Sequence, residues 1–260
     1  MIYFARPLTL CLAAVFGDGI ELHIQPYLQW PEPAAITIMW ETNQPALGEV
    51  QYGLTPDLGL RSVEKAARGV HELRLKGLEP HTLYFYRVKC GGLLSEVKSF
   101  RTAPGPDVDR WRRIAYGDSR SFPDRHQRVA ELASRLEPEL GLHTGDQVAN
   151  GTQRAQWKEQ FFDPAAKLFG RVPVLTSLGN HEQKSGNYFE YLALPGKEQY
   201  YSLDFGNAHI VVLDSNTWGT SARDSEQYQW LREDLSRKRP TRWTVVGFHH
   251  PLFSAHDKRA

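Results

Sequence analysis

The sequence predicts a two-domain chain, a small all-β sandwich followed by a larger α/β domain, and three observations carry that division. Residues 24–102 hold short β-prone runs between turn residues, with period-two alternation of apolar side chains. Ala103-Pro104-Gly105-Pro106 then punctuates the chain. Beyond it, strands alternate with amphipathic helices, the grammar of an α/β domain. At 260 residues the chain exceeds the roughly 150 that a single domain averages, so two units each have room for a core.

In the first domain, placed at residues 21–104, strands are expected at Ala35-Ile36-Thr37-Ile38-Met39-Trp40, Gly48-Glu49-Val50-Gln51-Tyr52, His71-Glu72-Leu73-Arg74-Leu75 and Thr82 to Val88. Tyr27, Trp30, Trp40 and Tyr84 stand at alternating strand positions and are read as core, not as a ligand-stacking face. Cys90 closes a strand-like run with no base beside it and is read as a buried structural thiol. In the second domain, residues 111–260, Arg113-Ile114-Ala115-Tyr116 is the first strand. Asp124 to Leu136 follows as a helix with Val129, Leu132 and Leu136 on its apolar face. Leu140-Gly141-Leu142-His143 is a strand, Gln153 to Phe169 a helix and Val172 to Leu178 a strand. A hairpin from Tyr200-Tyr201-Ser202-Leu203 into His209-Ile210-Val211-Val212-Leu213, a helix from Asp224 to Arg237 and a strand from Trp243 to Phe248 complete the series.

Composition excludes several classes of function. With 31 Lys and Arg against 30 Asp and Glu the net charge is +1, so the global positive field of a nucleic-acid binder is missing and no such partner is expected. The longest apolar run, Leu8 to Phe16 broken only by Thr9, is far short of the roughly 20 residues that span a bilayer, so stable membrane insertion is not expected. That run follows Arg6 and contains Ala13 and Ala14 before Gly17, and residues 1–17 read as a secretory signal peptide. A secreted or periplasmic location follows. Once such a leader is removed, Cys90 has no partner and no disulfide framework or thiolate metal site can form.

The chemistry concentrates at four strand ends: Tyr116-Gly117-Asp118, His143-Thr144-Gly145-Asp146, Leu178-Gly179-Asn180-His181-Glu182 and Gly247-Phe248-His249-His250-Pro251. Loops leaving the carboxyl ends of parallel strands converge on one crevice, so these residues should meet in space. One Gly-Asp pair after a strand is often only a helix cap. Four in register, in the order Asp, Asp, Asn-His, His, are a specific signal.

On those four runs the sequence resembles the calcineurin-like metallophosphoesterases, in particular the purple-acid-phosphatase-like branch with an N-terminal β-sandwich. Glu79-Pro80-His81 before the Thr82 to Val88 strand gives the first domain a further resemblance to fibronectin type III domains. The family pattern implies that Asp118 ligates one metal, Asp146 bridges two, and Asn180 and His249 ligate the second. His249 is preferred to His250 because the family's ligand stands two residues before a proline, here Pro251. His181 is implied as the acid beside the scissile bond. The resemblance thus implies hydrolysis of small phosphate esters at a pair of ions drawn from Fe, Zn and Mn. Oxygen and imidazole donors suit those metals, and two ions roughly 3.5 to 4 Å apart clamp an in-line displacement. Within the same family a phosphodiesterase is the alternative. From another class, a non-catalytic binding module is the competitor, against which stands the presence of all five of these residues.

Three departures bear on the carry-over. The tyrosine that the purple enzymes place three residues after the bridging aspartate is Ala149, so no tyrosinate colour is expected. The histidine often found two residues after the first aspartate is Arg120, which would either face the substrate phosphate or form a plain salt bridge. His126 would then replace the missing first-metal ligand, or lie at the surface near a helix start. Finally, the Gly-His-x-His run that the family carries beyond the last strand is not in residues 1–260, and weak metal binding with low activity is expected of this stretch alone. His23, His71 and His81 are expected in surface or turn positions. His143 and His209 are expected to be hydrogen-bonded structural side chains.

Overall fold

The computed structural model describes residues 19–182, 184–217 and 222–253; the expected leader lies outside them. The first domain is the anticipated all-β sandwich. Its first sheet is antiparallel, with β2 (Ala35–Ala46) between β1 (Leu22–Glu32) and β5 (Arg68–Lys76). The second sheet runs β4 (Leu60–Val63), β3 (Gly48–Gly53), β6 (Leu83–Cys90) and β7 (Leu93–Leu94), with β8 (Lys98–Arg101) also paired to β6. Alternation does the work: Ile36, Ile38, Trp40, Val50, Leu73 and Leu75 point between the sheets and form one cluster. Cys90 is buried there and accepts from the Trp40 indole at 3.3 Å.

The second domain holds two small sheets. Parallel β9 (Arg113–Tyr116), β10 (Leu140–His143) and β11 (Val174–Thr176) form the first, with β10 central. In the second, β12 (Tyr201–Phe205) pairs antiparallel with β13 (Ala208–Val212), which runs parallel to β14 (Trp243–Gly247). The helices are α1 (Pro123–Arg135), α2 (Arg154–Gln156), α3 (Asp163–Phe169), α4 (Gly186–Tyr191) and α5 (Glu226–Ser236). None among the described residues is long and apolar enough to cross a membrane. Six-residue α4 was not anticipated: Gly186 and Asn187 open it, and only buried Tyr188 and Tyr191 anchor it.

The single helix expected over Gln153 to Phe169 is a continuous helical run whose centre, Trp157–Phe162, widens into a π turn. The wider turn lets Trp157, Phe161 and Phe162 all face inward, against rings such as Phe169 and Tyr188. That aromatic layer overturns one expectation about α1. Val129, Leu132 and Leu136 are 44%, 60% and 59% exposed, whereas His126, Ala130 and Ala133 face the core. The His126 ring already stands about 6 Å from those of Phe161 and Phe169, so only short side chains fit on the rest of that face.

The Pro/Gly linker does not separate two independent cores. Ile24, Tyr27 and Met39 of the sandwich join the core of the second domain. Tyr27 Oη donates to Tyr191 O at 2.6 Å, Gln29 Nε2 to Val174 O at 3.2 Å and Tyr86 Oη to Gly170 O at 2.8 Å. Glu41 of β2 takes bonds from Arg154 Nη2 at 2.8 Å and Tyr191 Oη at 3.0 Å.

His71 is also corrected, from a surface residue to a fully buried one stacked 4.5 Å from the Trp40 ring. Its Nδ1 stands 2.7 Å from Glu64 Oε2 and its Nε2 2.9 Å from Thr42 Oγ1, whose own hydroxyl donates to Gln44 O. Both ring nitrogens therefore face acceptors, which calls for an imidazolium paired with Glu64. Burial lowers the pKa of the ring, but the bonds to Cys90 and Glu64 outweigh it and raise it to about 9. A raised folded-state value stabilises the fold fully below the ordinary value of about 6.5 and loses that contribution as pH rises through 9. The stability gap between the native chain and a His71→Gln variant is thus expected to shrink by roughly 2 to 3 kcal/mol between pH 6 and pH 10. Urea unfolding of both proteins at the two pH values measures it, and a constant gap would refute the ion pair.

Candidate metal centre

Strands β9, β10, β11 and β14 each end in a sharp turn, and the four turns meet. Asp118 N donates to Gly145 O at 3.0 Å and Arg120 N to Asp146 O at 3.3 Å, so the first two turns are tied by their main chains. Gly145 adopts φ +98°, and a Cβ there would lie 2.8 Å from His249 Nδ1. At Gly179 a Cβ would stand 2.2 Å from Asp146 Oδ1. Only glycine lets these turns approach so closely.

Donor atoms of Asp118, Asp146 and His249 all lie within 4.8 Å of one another. Asp146 is 2% exposed, and its Oδ1 stands 3.4 Å from His249 Nε2. Asn180 Oδ1 is 3.2 Å from the same nitrogen. His249 Nδ1 lies 2.9 Å from Thr144 O, a carbonyl that can only accept, so Nδ1 carries a proton and Nε2 is the nitrogen left to face a cation. Asp146 Oδ1, Asn180 Oδ1 and His249 Nε2 thus converge, and a cation placed among them would satisfy all three together. Hard oxygens with one imidazole fit Fe, Zn or Mn, and among the described residues no thiolate joins the cluster to favour a softer ion.

His181 stands at the rim, about 29% exposed, with Nε2 3.9 Å from Asp146 Oδ2. Its main-chain N–H donates to Asp146 Oδ1 at 3.1 Å, and its Nδ1–H to Ala149 O at 2.6 Å. The tyrosine position occupied by Ala149 thus serves through its carbonyl, which fixes the His181 ring with Nε2 on the Asp146 side.

Beneath the loops lies a residue whose role sequence reasoning missed. Glu182 is fully buried, and its carboxylate accepts four main-chain N–H groups. Oε2 takes those of Gly179 at 2.7 Å and Asp146 at 3.0 Å, while Oε1 takes Gln147 at 2.9 Å and Val148 at 3.3 Å. Burial pushes its pKa up to about 7 against the pull of these donors. The signal was its place directly after Asn180-His181, with no surface reason for a carboxylate.

Not every candidate joins the cluster. His126 is buried, with Nδ1–H given to Gln160 O at 2.8 Å and Nε2 3.1 Å from Tyr116 Oη. Neither lone pair is left for a metal, so it fills neither the ligand nor the surface role expected of it; burial also lowers its pKa. Arg120 sends Nε to Asp146 Oδ2 at 2.9 Å, so its salt bridge is with the aspartate read as bridging. His143 is buried with Nε2 2.9 Å from Ser119 Oγ, and His209 lies between Asp204 and Asp234, both as expected. A cleft of about 1090 Å³ between the sandwich and α1 and α3 contains none of the cluster residues.

Comparison with known proteins agrees with this architecture. Residues 107–260 match the family described as calcineurin-like phosphoesterase, and residues 24–102 match the purple acid phosphatase N-terminal domain. Acid phosphatase type 7 of Homo sapiens is 26% identical over 94% of this chain and 64% of its own length. Purple acid phosphatase 23 of Arabidopsis thaliana is 30% identical over 72% of this chain and 50% of its own length. The chain therefore spans about half to two thirds of these relatives. The solved purple acid phosphatase PPD1 of yellow lupin shares the fold, with a TM-score of 0.70 over 85% of this chain and 50% of that one, at 17% identity. A two-domain purple acid phosphatase-like fold, with carboxylates and histidines of four strand ends gathered at one point, places the chain in the calcineurin-like phosphoesterase family.

Proposed function

We propose that this chain hydrolyses small phosphate esters at a dinuclear centre of Fe, Zn or Mn ions, in a secreted or periplasmic setting. The observation that carries the reading is the convergence of Asp118, Asp146, Asn180 and His249 from four strand ends. Asp118 would hold one ion, Asp146 would be shared by both, and Asn180 with His249 would hold the other. Bound cations supply positive charge for the phosphoryl oxygens and a water acidified to near neutral pH. The residues of the chain do the rest. The carbonyl of Thr144 fixes the His249 tautomer, and Glu182 fixes the loop that carries Asp146. His181, oriented by Ala149 O, would stand at the rim of the cluster as the acid beside the leaving alkoxide, delivering a proton from Nε2 when its ring is protonated. Arg120, whose Nε is held by Asp146 Oδ2, would offer the rest of its guanidinium to a phosphate oxygen.

The test is hydrolysis of p-nitrophenyl phosphate and bis-p-nitrophenyl phosphate with added Mn, Zn or Fe, by this chain and by Asp146→Asn. Metal-dependent turnover that falls on the order of 100-fold or more in the variant is expected. The ratio of the two substrates decides between monoesterase and diesterase. Turnover indifferent to metal and to Asp146 would sink the proposal.

A further inference from the structure

Asp146 uses its two oxygens differently. Oδ1 faces His249 Nε2 and takes the His181 N–H, whereas Oδ2 is taken by the Arg120 guanidinium. The carboxylate is 2% exposed and Arg120 about one third exposed, so this ion pair closes the buried anion from the solvent side. A second contact, Arg120 N to Asp146 O, locks the two segments in register. Three residues beyond Asp146, Ala149 offers no side-chain ligand, and His126 is engaged elsewhere. One side of the cluster therefore combines Asp146 Oδ1, Asn180 Oδ1 and His249 Nε2. On the other, among the described residues, Asp118 offers a carboxylate and a positive charge already sits on Asp146 Oδ2.

We propose that Arg120 is a built-in counter-cation for Asp146, which holds Oδ2 in place of a second metal ion and makes the centre load its two positions unequally. The inference rests on the metal reading of this site and deepens it. A cation bound by Asp146 Oδ1, Asn180 and His249 leaves the guanidinium undisturbed. A second ion bridged through Oδ2 must displace Arg120 Nε and then sit beside its charge, so its affinity carries both the broken bond and the like-charge repulsion. In the metal-free protein the same guanidinium neutralises a buried carboxylate that would otherwise lack compensation.

The experiment is calorimetric titration of the purified chain, and of Arg120→Ala and Arg120→Gln, with Mn and with Zn, paired with thermal melts with and without metal. For the native chain a tighter and a much weaker binding step are expected. Both variants are expected to tighten the weaker step by about tenfold or more, while their metal-free melting temperature falls and its rise on adding metal grows. A His249→Ala protein, which keeps Arg120, should lose the tighter step. Superimposable metal isotherms for the native chain and both variants would overturn the inference. So would unchanged isotherms accompanied by weaker binding of inorganic phosphate, which would mark Arg120 as a phosphate contact alone. If the native chain and both variants bind neither metal, the reading of the cluster as a metal site falls together with this inference.

Discussion

Replacing Glu182 with alanine is expected to cost about 3 to 5 kcal/mol of stability and to weaken metal binding by roughly 10- to 100-fold. Four buried N–H groups lose their acceptor in that variant, and each unsatisfied donor costs on the order of 1 to 3 kcal/mol before relaxation. The loss at the metal follows from which groups those are. Two belong to Asp146 and Gly179, the residues bearing or flanking ligand positions, so releasing them frees the Asp146 and Asn180 side chains to drift. Glu182→Gln separates this positioning from bulk stability. Its amide can accept on one oxygen only and points two hydrogens at the donors on the other side. Its fold should survive at low temperature while metal affinity still falls. Urea unfolding and metal titration of both variants at 10 °C check the prediction; native-like affinity in a folded Glu182→Gln would refute it.

Tyr27→Ala is expected to destabilise both domains together, by about 3 to 5 kcal/mol. The side chain crosses from β1 into the core of the second domain, packs 4.5 Å from the Phe162 ring and donates to Tyr191 O. Tyr27→Phe, which keeps the ring and removes only that bond, should cost about 1 kcal/mol. Because Ile24, Tyr27 and Met39 belong to the core built by the α/β domain, unfolding should be one transition in both proteins. Tryptophan fluorescence and far-UV circular dichroism, followed against urea, should give coincident curves. A variant that melts in two steps would show that the sandwich folds on its own.

The parts of this molecule that were legible in the sequence are those in which one local rule speaks alone. Period-two alternation places Ile36, Ile38 and Trp40 inside, and the glycine turns announce Asp118, Asp146, Asn180 and His249 as one cluster. The errors arise where two rules compete. Helical periodicity marks Val129, Leu132 and Leu136 as the inner face of α1, but close approach of the π-turn aromatics admits only His126, Ala130 and Ala133. His71 lies in phase with Leu73 and Leu75 on β5, and that alternation already pointed inward. The general preference of histidine for the surface spoke against it, and Glu64, its partner, sits in a loop that no periodicity describes. Glu182 escaped because what it binds is main chain, which carries no residue-type signature. The destination of Arg120 depends on a 2.9 Å contact across 26 residues, set by tertiary structure alone.

Both cluster aspartates occupy left-handed backbone, Asp118 at φ 52° and Asp146 at φ 56°. Among residues with a Cβ, only Asp and Asn visit that region readily, while most others carry a strain penalty there. The interchangeability of side chains at these positions is therefore filtered twice, by the need for a ligand oxygen and by the main chain beneath it. Glutamate offers the same charge, but its extra methylene carries the carboxylate past the ligand position and it lacks the backbone preference of aspartate, while alanine removes the oxygen and adds a conformational penalty unrelated to charge. Asparagine keeps one oxygen and tolerates the turn, so it is the replacement that isolates the carboxylate charge. Gradual drift of this centre toward another ligand set would be steered through asparagine or glycine, because few other side chains leave the four turns where they meet.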